Sequence, residues 1–322
     1  MHVRFGFVAM SVTLEKASPS KSVTLKMYRE ITQKDPKAAL EKIIRTAREN
    51  LNNTLRLLRH CKANQVSMYR FSSKLIPLAT HPELKEWNYV KDLQSELAEI
   101  GRFIRENGMR VSFHPDHYTL INSPKDEVFV SSINDLAHHC RLLQAMGLDE
   151  RARLVIHVGG GYNDKENSLE RFIENWARVP RGIAKRITLE NDDKTFTANE
   201  TLNLCEKLQL PMVLDIHHFQ CNHEEGSALE QLYPRFAATW QGTELPPKAH
   251  VSSPKDNINY RSHHDYVDAD RVYAFLRMAR QYTHTLDVMV EAKQKDEAMF
   301  RLVRDISAKK GVTQRSLAAL EL

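Results

Sequence analysis

Six short apolar runs in this chain each end on a side chain that can bind a cation. Val111-Ser-Phe runs into His114, Leu154-Val-Ile into His157, Ile187-Thr-Leu into Glu190, Met212-Val-Leu into Asp215, Lys248-Ala into His250 and Val288-Met-Val into Glu291. The steps from His114 to Glu291 are 43, 33, 25, 35 and 41 residues. They average about 35, close to the roughly 31 residues of one strand-helix unit in an eight-unit barrel. The donors are imidazole nitrogen and carboxylate oxygen without thiolate, a set that suits manganese, zinc or iron. Six such residues fit two ions better than one, with Glu190, at the middle of the arc, as the bridge. Close cations activate water and stabilise both oxygens of an in-line displacement, the chemistry of phosphodiester hydrolysis.

For these residues to meet, the runs must be parallel strands of one closed sheet, with their C-terminal ends at one mouth. The expected architecture is therefore a single α/β domain, a (β/α)8 TIM barrel with long loops at that face. The intervening segments support it. Val3, Phe5 and Phe7 alternate as in a first strand, which also argues against a signal peptide. Asp35-Pro36 opens a helix carrying Leu40, Ile43, Ile44, Ala47, Leu51 and Leu55 at helical spacing. Residues 66–71 read as the second strand, 89–106, 131–146, 169–179, 197–208, 225–240, 268–281 and 295–309 as helices. The barrel domain is expected to span residues 1–306, with a C-terminal tail at 307–322 that carries no readable signal. Residues 14–37, rich in Ser, Thr and Lys, read as a long binding loop or a solvated surface loop. Gly159-Gly160-Gly161 suits either a phosphate cradle or a sharp turn.

Composition sets the class. With 322 residues, 42% hydrophobic and 27% charged, the chain is an ordinary globular protein. A formal charge of +5, from 46 basic and 41 acidic residues, is a mild bias toward an acidic partner. No run approaches 18 apolar residues, so no membrane span is expected. Cys61, Cys140, Cys205 and Cys221 form no Cys-x-x-Cys pair and read as reduced thiols, which with the missing leader makes a cytoplasmic location the expectation, beside the nucleoid in a bacterium. No nucleophile elbow, Walker loop or dinucleotide fingerprint is present.

Phe113-His-Pro-Asp-His-Tyr118, Ile156-His-Val-Gly-Gly160, Leu189-Glu-Asn-Asp192, Leu214-Asp-Ile-His-His218, Lys248-Ala-His-Val-Ser-Ser253 and Asp287-Val-Met-Val-Glu-Ala-Lys293, taken in order, resemble the UV damage endonuclease family. Tyr69-Arg-Phe-Ser-Ser and Ile76-Pro with His81 extend the resemblance over roughly residues 3–293. It implies a metal-dependent DNA repair nuclease, related to endonuclease IV, that nicks immediately 5′ to a UV photoproduct, leaves a 3′ hydroxyl and uses no ATP.

By that resemblance two or three divalent ions, typically Mn2+, would be held: one by His114, His157 and Glu190, a second by Glu190, Asp215, His250 and Glu291, a third by His218 and His263. His217 competes with His218, and His264 with His263, for these positions. Glu190, Glu291 and Lys248 are the candidate catalytic residues; Lys248 reads as a phosphate-binding or charge-balancing amine, or, by the resemblance, as a carboxylated lysine near the third ion.

The expected partner is double-stranded DNA bearing UV lesions, met by a monomer without a nucleotide cofactor. His117 and Tyr118 are planar side chains three and four residues beyond a ligand and are candidates for filling the space left by an extruded photodimer. Lys255 and Arg261 are candidate phosphate contacts, and the resemblance adds Arg70 and His81. Two departures stand out: Phe7 replaces a tyrosine, and His117 a glutamine, found in some members. A sugar isomerase or epimerase on the same barrel is the rival enzyme class, and a metal-bound DNA-binding protein without turnover the rival outside catalysis. The basic loops favour a polymer over a sugar, and intact Glu190 and Glu291 favour turnover.

Overall fold

In a computed structural model covering residues 1–322, eight parallel strands close into a ring. They are β1 (His2–Val8), β2 (Met68–Arg70), β3 (Arg110–Phe113), β4 (Arg153–His157), β5 (Ile187–Glu190), β6 (Met212–Asp215), β7 (Lys248–Val251) and β8 (Thr285–Val290). Each pairs with its neighbours in chain order, and β1 closes the ring against both β8 and β2. The (β/α)8 architecture is thus present, and a cluster of 73 buried residues fills the annulus between strands and helices.

Helices follow where caps and apolar spacing place them. Asp35 accepts from the amides of Lys37 and Ala38 at 2.9 and 3.1 Å, and the helix Pro36–Ala63 buries Ile43, Ala47, Leu51 and Leu58. Thr197 and Glu200 form a reciprocal capping box on Ala198–Leu208. Three starts move by four residues or more: the expected helix at 131 starts at Asp126, the one expected at 169 at Lys165, and the one expected at 225 at Leu229.

Two segments differ more. Residues 14–37 are not an open loop. Thr24 caps a helix, Leu25–Thr32, and Val23 is buried against Ile43 and Leu84. Upstream, Asp296 accepts from Ser11 Oγ, the Val12 amide and Thr13 Oγ1 at 2.5, 2.9 and 2.7 Å and lies 3.0 Å from His60 Nε2, so the chain leaving β1 is pinned to two helices. The segment read as a tail forms β9 (Thr313–Ser316) and β10 (Ala319–Glu321). β2 reaches only Phe7 and Val8 of β1, and β10 runs antiparallel along the remaining edge, at His2, Val3 and Arg4. It completes the hydrogen bonding at the N-terminal rim of the barrel and buries Ala318 and Leu320.

Alternation along each strand sorts the barrel interior into layers. β3 and the residue after it direct Arg110, Ser112 and His114 inward, β7 Lys248 and His250, and β8 with its following residue Asp287, Met289 and Glu291. At the lower end, Asp287 is fully buried and bonds Arg4 Nε and Nη2 at 2.7 Å each and Arg110 Nη1 at 2.5 Å. Burial alone would raise the Asp287 carboxyl, but the Arg110 and Arg4 guanidinium groups hold it below its usual value. A depressed carboxylate contributes stability above its unfolded pKa, about 4, and loses it as pH falls through the lower folded value. Asp287→Asn leaves Arg110 buried without its counter-charge, so a loss of about 3–5 kcal/mol is expected at neutral pH. Denaturant titrations should also show the variant losing less stability than the parent on acidification; equal acid slopes would contradict this assignment.

Candidate metal centre

The upper layer of the interior is where the sequence placed its ligands. His157 and Glu190 are register partners across β4 and β5, as are Asp215 and His250 across β6 and β7. Glu291 follows β8 directly, and its amide donates to Val251 O at 2.9 Å. Neighbouring strand ends therefore deliver donors side by side.

Glu190 is the hub. One carboxylate oxygen lies 2.9 Å from His114 Nε2 and 4.0 Å from His157 Nε2, and the other lies 2.7 Å from His250 Nδ1 and 3.9 Å from His218 Nδ1. His250 Nδ1 also meets Glu291 at 3.0 Å. Donor atoms of His114, His157 and Glu190 fall within 4.8 Å of one another, and so do those of Glu190, Asp215, His250 and Glu291. Glu190 belongs to both groups, as expected of a bridge.

The electrostatics fit cations. Burial works against the charged forms of Glu190 and Glu291. The charge of His250 outweighs it for Glu190, that of Arg70 followed by His250 outweighs it for Glu291, and both carboxyls lie well below their ordinary values. Burial disfavours charge on His218 too, but Asp215 and then Glu190 raise it to about 9. Asp215 goes the other way: burial lifts its carboxyl above its usual value. Its Oδ2 is buried without a hydrogen-bond partner, as is Nε2 of His250. Orphaned buried polar atoms of this kind are costly, and in this set of hard and borderline donors a divalent cation would satisfy Asp215 Oδ2.

Arg70, a candidate DNA contact, forms an ion pair with Glu291 inside the mouth, with 11% of its side chain exposed. Lys248 sits one layer beneath His250, where its Nζ donates to Ser112 Oγ at 3.0 Å. Burial, and then Arg110 and Arg70, lower its pKa to about 7. Of the adjacent histidines, His218 faces Glu190 and Asp215, while His217 packs on Tyr260 and His263 with ring centroids 5.9 and 5.8 Å away. His263 is half-buried there and does not join either donor group, and His264 is exposed with Nδ1 accepting from the Tyr266 amide at 3.0 Å. His81 caps the short turn Pro82–Leu84, accepting from the Glu83 amide at 3.3 Å. Lys255 and Arg261 are exposed on the loop after β7, Arg261 3.7 Å from Asp193.

His117 and Tyr118 stand exposed at the rim on the loop after β3, their ring centroids 4.0 Å apart. The triple glycine is a turn of close approach: Gly159 has φ +123°, and a Cβ there would lie 2.1 Å from Asn122 Oδ1. Asn191 escaped the sequence reading. Its side chain bonds both the amide and the carbonyl of Asp215 at 2.9 Å, and its own carbonyl lies 2.9 Å from His218 Nδ1. Its only signal was its place beside Glu190.

A cavity of about 460 Å3 opens over these groups, reached by His114, His157, Glu190, His218 and Glu291. Glu190 is the buried residue at its floor, and Asp215 and His250 lie fully buried beside Glu190 without lining the cavity.

Known proteins resemble the chain along its whole length. The family model described as UV-endonuclease UvdE matches residues 3–322. A protein named UV DNA damage endonuclease from Bacillus pumilus is 44% identical over 311 residues, covering 97% of this chain and 96% of that one. The protein of that name from Halalkalibacterium halodurans is 44% identical over 322 residues, covering 100% and 99%. Among solved structures, SacUVDE superposes with a TM-score of 0.81 at 30% identity, over 92% of this chain and 95% of that one. Endonuclease IV from Thermus thermophilus shares the fold, with a TM-score of 0.55 at 13% identity over 95% and 98% of the two chains. On a match that runs almost from end to end and includes every strand carrying a donor, the chain belongs to the UV-endonuclease UvdE family.

Proposed function

We propose that the protein is a metal-dependent DNA repair endonuclease. It nicks the strand immediately 5′ to UV photoproducts, cyclobutane dimers and 6-4 products, leaving a 3′ hydroxyl and a 5′ phosphate without ATP. The observation that carries the reading is the pair of donor groups sharing Glu190 at the floor of an open mouth, in a chain whose relatives are named UV DNA damage endonuclease.

His114, His157 and Glu190 would hold one divalent ion, and Glu190, Asp215, His250 and Glu291 a second. His218 and His263 would serve a third. Manganese is the proposed ion; zinc also suits nitrogen and oxygen donors. The chemistry such ions supply when bound is activation of water and stabilisation of charge on the attacking and leaving oxygens.

The rest belongs to the chain. Arg70 fixes Glu291 by its ion pair and adds positive charge beside the scissile phosphate. Asn191 fixes Asp215 through two backbone bonds and orients His218. Lys248, with its pKa near 7, supplies or withdraws a charge directly beneath the carboxylates. Lys255, Arg261 and His81 at the rim meet backbone phosphates, which position the duplex without reading its sequence. The protein acts on double-stranded DNA as a monomer, with no nucleotide cofactor, in the cytoplasm; no helix is long and apolar enough to cross a membrane.

Incubation of the manganese-loaded protein with supercoiled plasmid tests the reading. Irradiated plasmid should convert to the nicked form and unirradiated plasmid should not. Equal nicking of both would remove the specificity for damage, and no nicking of either would remove the activity.

A further inference from the structure

Nine large hydrophobic side chains are exposed, and seven of them lie between 38% and 47% exposure. Partial exposure of single apolar residues is ordinary. Two stand apart: Tyr118 at 72% and Ile258 at 93%. Both lie on loops at the C-terminal ends of strands, on the face that holds the metal centre. Tyr118 follows β3 and Ile258 follows β7, four strands apart in a ring of eight and so on opposite rims.

The loop that carries Ile258 holds it outward. At the base, Pro254 and His263 form a bridge, with the Lys255 amide donating to Ser262 O at 2.6 Å and the His264 amide to Ser253 O at 2.8 Å. At the tip, Asp256 Oδ1 accepts from the amides of Ile258 and Asn259 at 2.9 and 2.6 Å, which occupies that carboxylate within the loop. Tyr260 packs on buried His217, and Arg261 reaches Asp193 of the loop after β5. A branched aliphatic is thus presented bare, between two cations, Lys255 and Arg261, that suit phosphates.

We propose that Ile258 is a second DNA wedge. On the reading given under Proposed function, it inserts into the base stack flanking the lesion, across the metal centre from Tyr118, while Lys255 and Arg261 hold the phosphates on either side. Apolar side chains inserted at a base step unstack and kink a duplex. Two wedges on opposite rims bend the damaged strand toward the ligands between them and fix which phosphate lies over Glu190.

The test uses the full-length, manganese-loaded protein, with Ile258→Ser and Ile258→Leu. One substrate is a fully paired duplex with a single cyclobutane dimer; the other carries the same dimer with mismatched flanking pairs, already unstacked. Ile258→Ser should nick the paired duplex roughly tenfold more slowly and the mismatched one at the parent rate, and Ile258→Leu should match the parent on both. With 2-aminopurine beside the lesion, binding of the parent should raise fluorescence and binding of Ile258→Ser should not. An unchanged rate on the paired duplex, or equal loss on both duplexes, overturns the wedge while parent nicking upholds the function. Failure of the parent to nick either duplex overturns the function and the wedge together.

Discussion

Replacing Glu190 by glutamine is expected to reduce nicking of irradiated duplex on the order of a thousandfold, about 4 kcal/mol of transition-state stabilisation, while the barrel stays folded. Glutamine keeps the shape and one accepting oxygen but removes the charge that both donor groups share. Its amide can still bond a neighbouring imidazole, so the buried floor is not emptied. What disappears is the common anion: His114 and His157 on one side, Asp215, His250 and Glu291 on the other, no longer have a bridge. The variant should show the parent's circular dichroism and a lower bound-metal content. Parent-like nicking at reduced metal content would displace Glu190 from the centre of the mechanism, and loss of the folded signal would mean that its charge serves the barrel instead.

Replacing both His117 and Tyr118 by alanine should leave metal content intact and remove most of the preference for damaged over undamaged DNA. Neither side chain belongs to a donor group; they lie against each other at the rim, and Tyr118 is largely solvent-exposed. A photodimer is already poorly stacked, so extruding it costs less than extruding sound bases. Stacking on an aromatic ring contributes about 1–3 kcal/mol per base, comparable with that cost and therefore able to decide selectivity. Competition binding between irradiated and untreated duplex measures the ratio. A ratio equal to the parent's would place damage recognition elsewhere on the face.

The convergence of the donor side chains was legible in the sequence because strand alternation has a period of two. Once six runs are parallel strands of one ring, their terminal donors have no place to point but the mouth, and Glu190 at the middle of the arc is the residue that both donor groups share. Beyond the strand ends that logic fails. Whether His217 or His218 faces Glu190 depends on the turn of helix Ile216–Cys221 that follows β6, and that geometry has no two-residue alternation to read. The ion pair of Arg70 was not legible because its partner, Glu291, is 221 residues away in sequence. The helix Leu25–Thr32 was hidden in a Ser- and Lys-rich stretch, since its buried support comes from Val23 before it and from Ile43 and Leu84 elsewhere. The strands Thr313–Ser316 and Ala319–Glu321 are short, and what specifies β10 is the bare edge of β1 at the other end of the chain.

The proposed function rests on metal-dependent cutting at one defined phosphate, and the position and metal dependence of the cut can be read together. A duplex with one cyclobutane dimer, end-labelled on the damaged strand, is incubated with chelator-stripped protein and then with the same protein after manganese is restored. No product is expected from the stripped protein. With manganese, a single product is expected, ending at the nucleotide immediately 5′ to the dimer, whose 3′ hydroxyl a polymerase can extend. Cleavage that persists without metal, a cut elsewhere, or an end that cannot be extended would contradict the proposed mechanism.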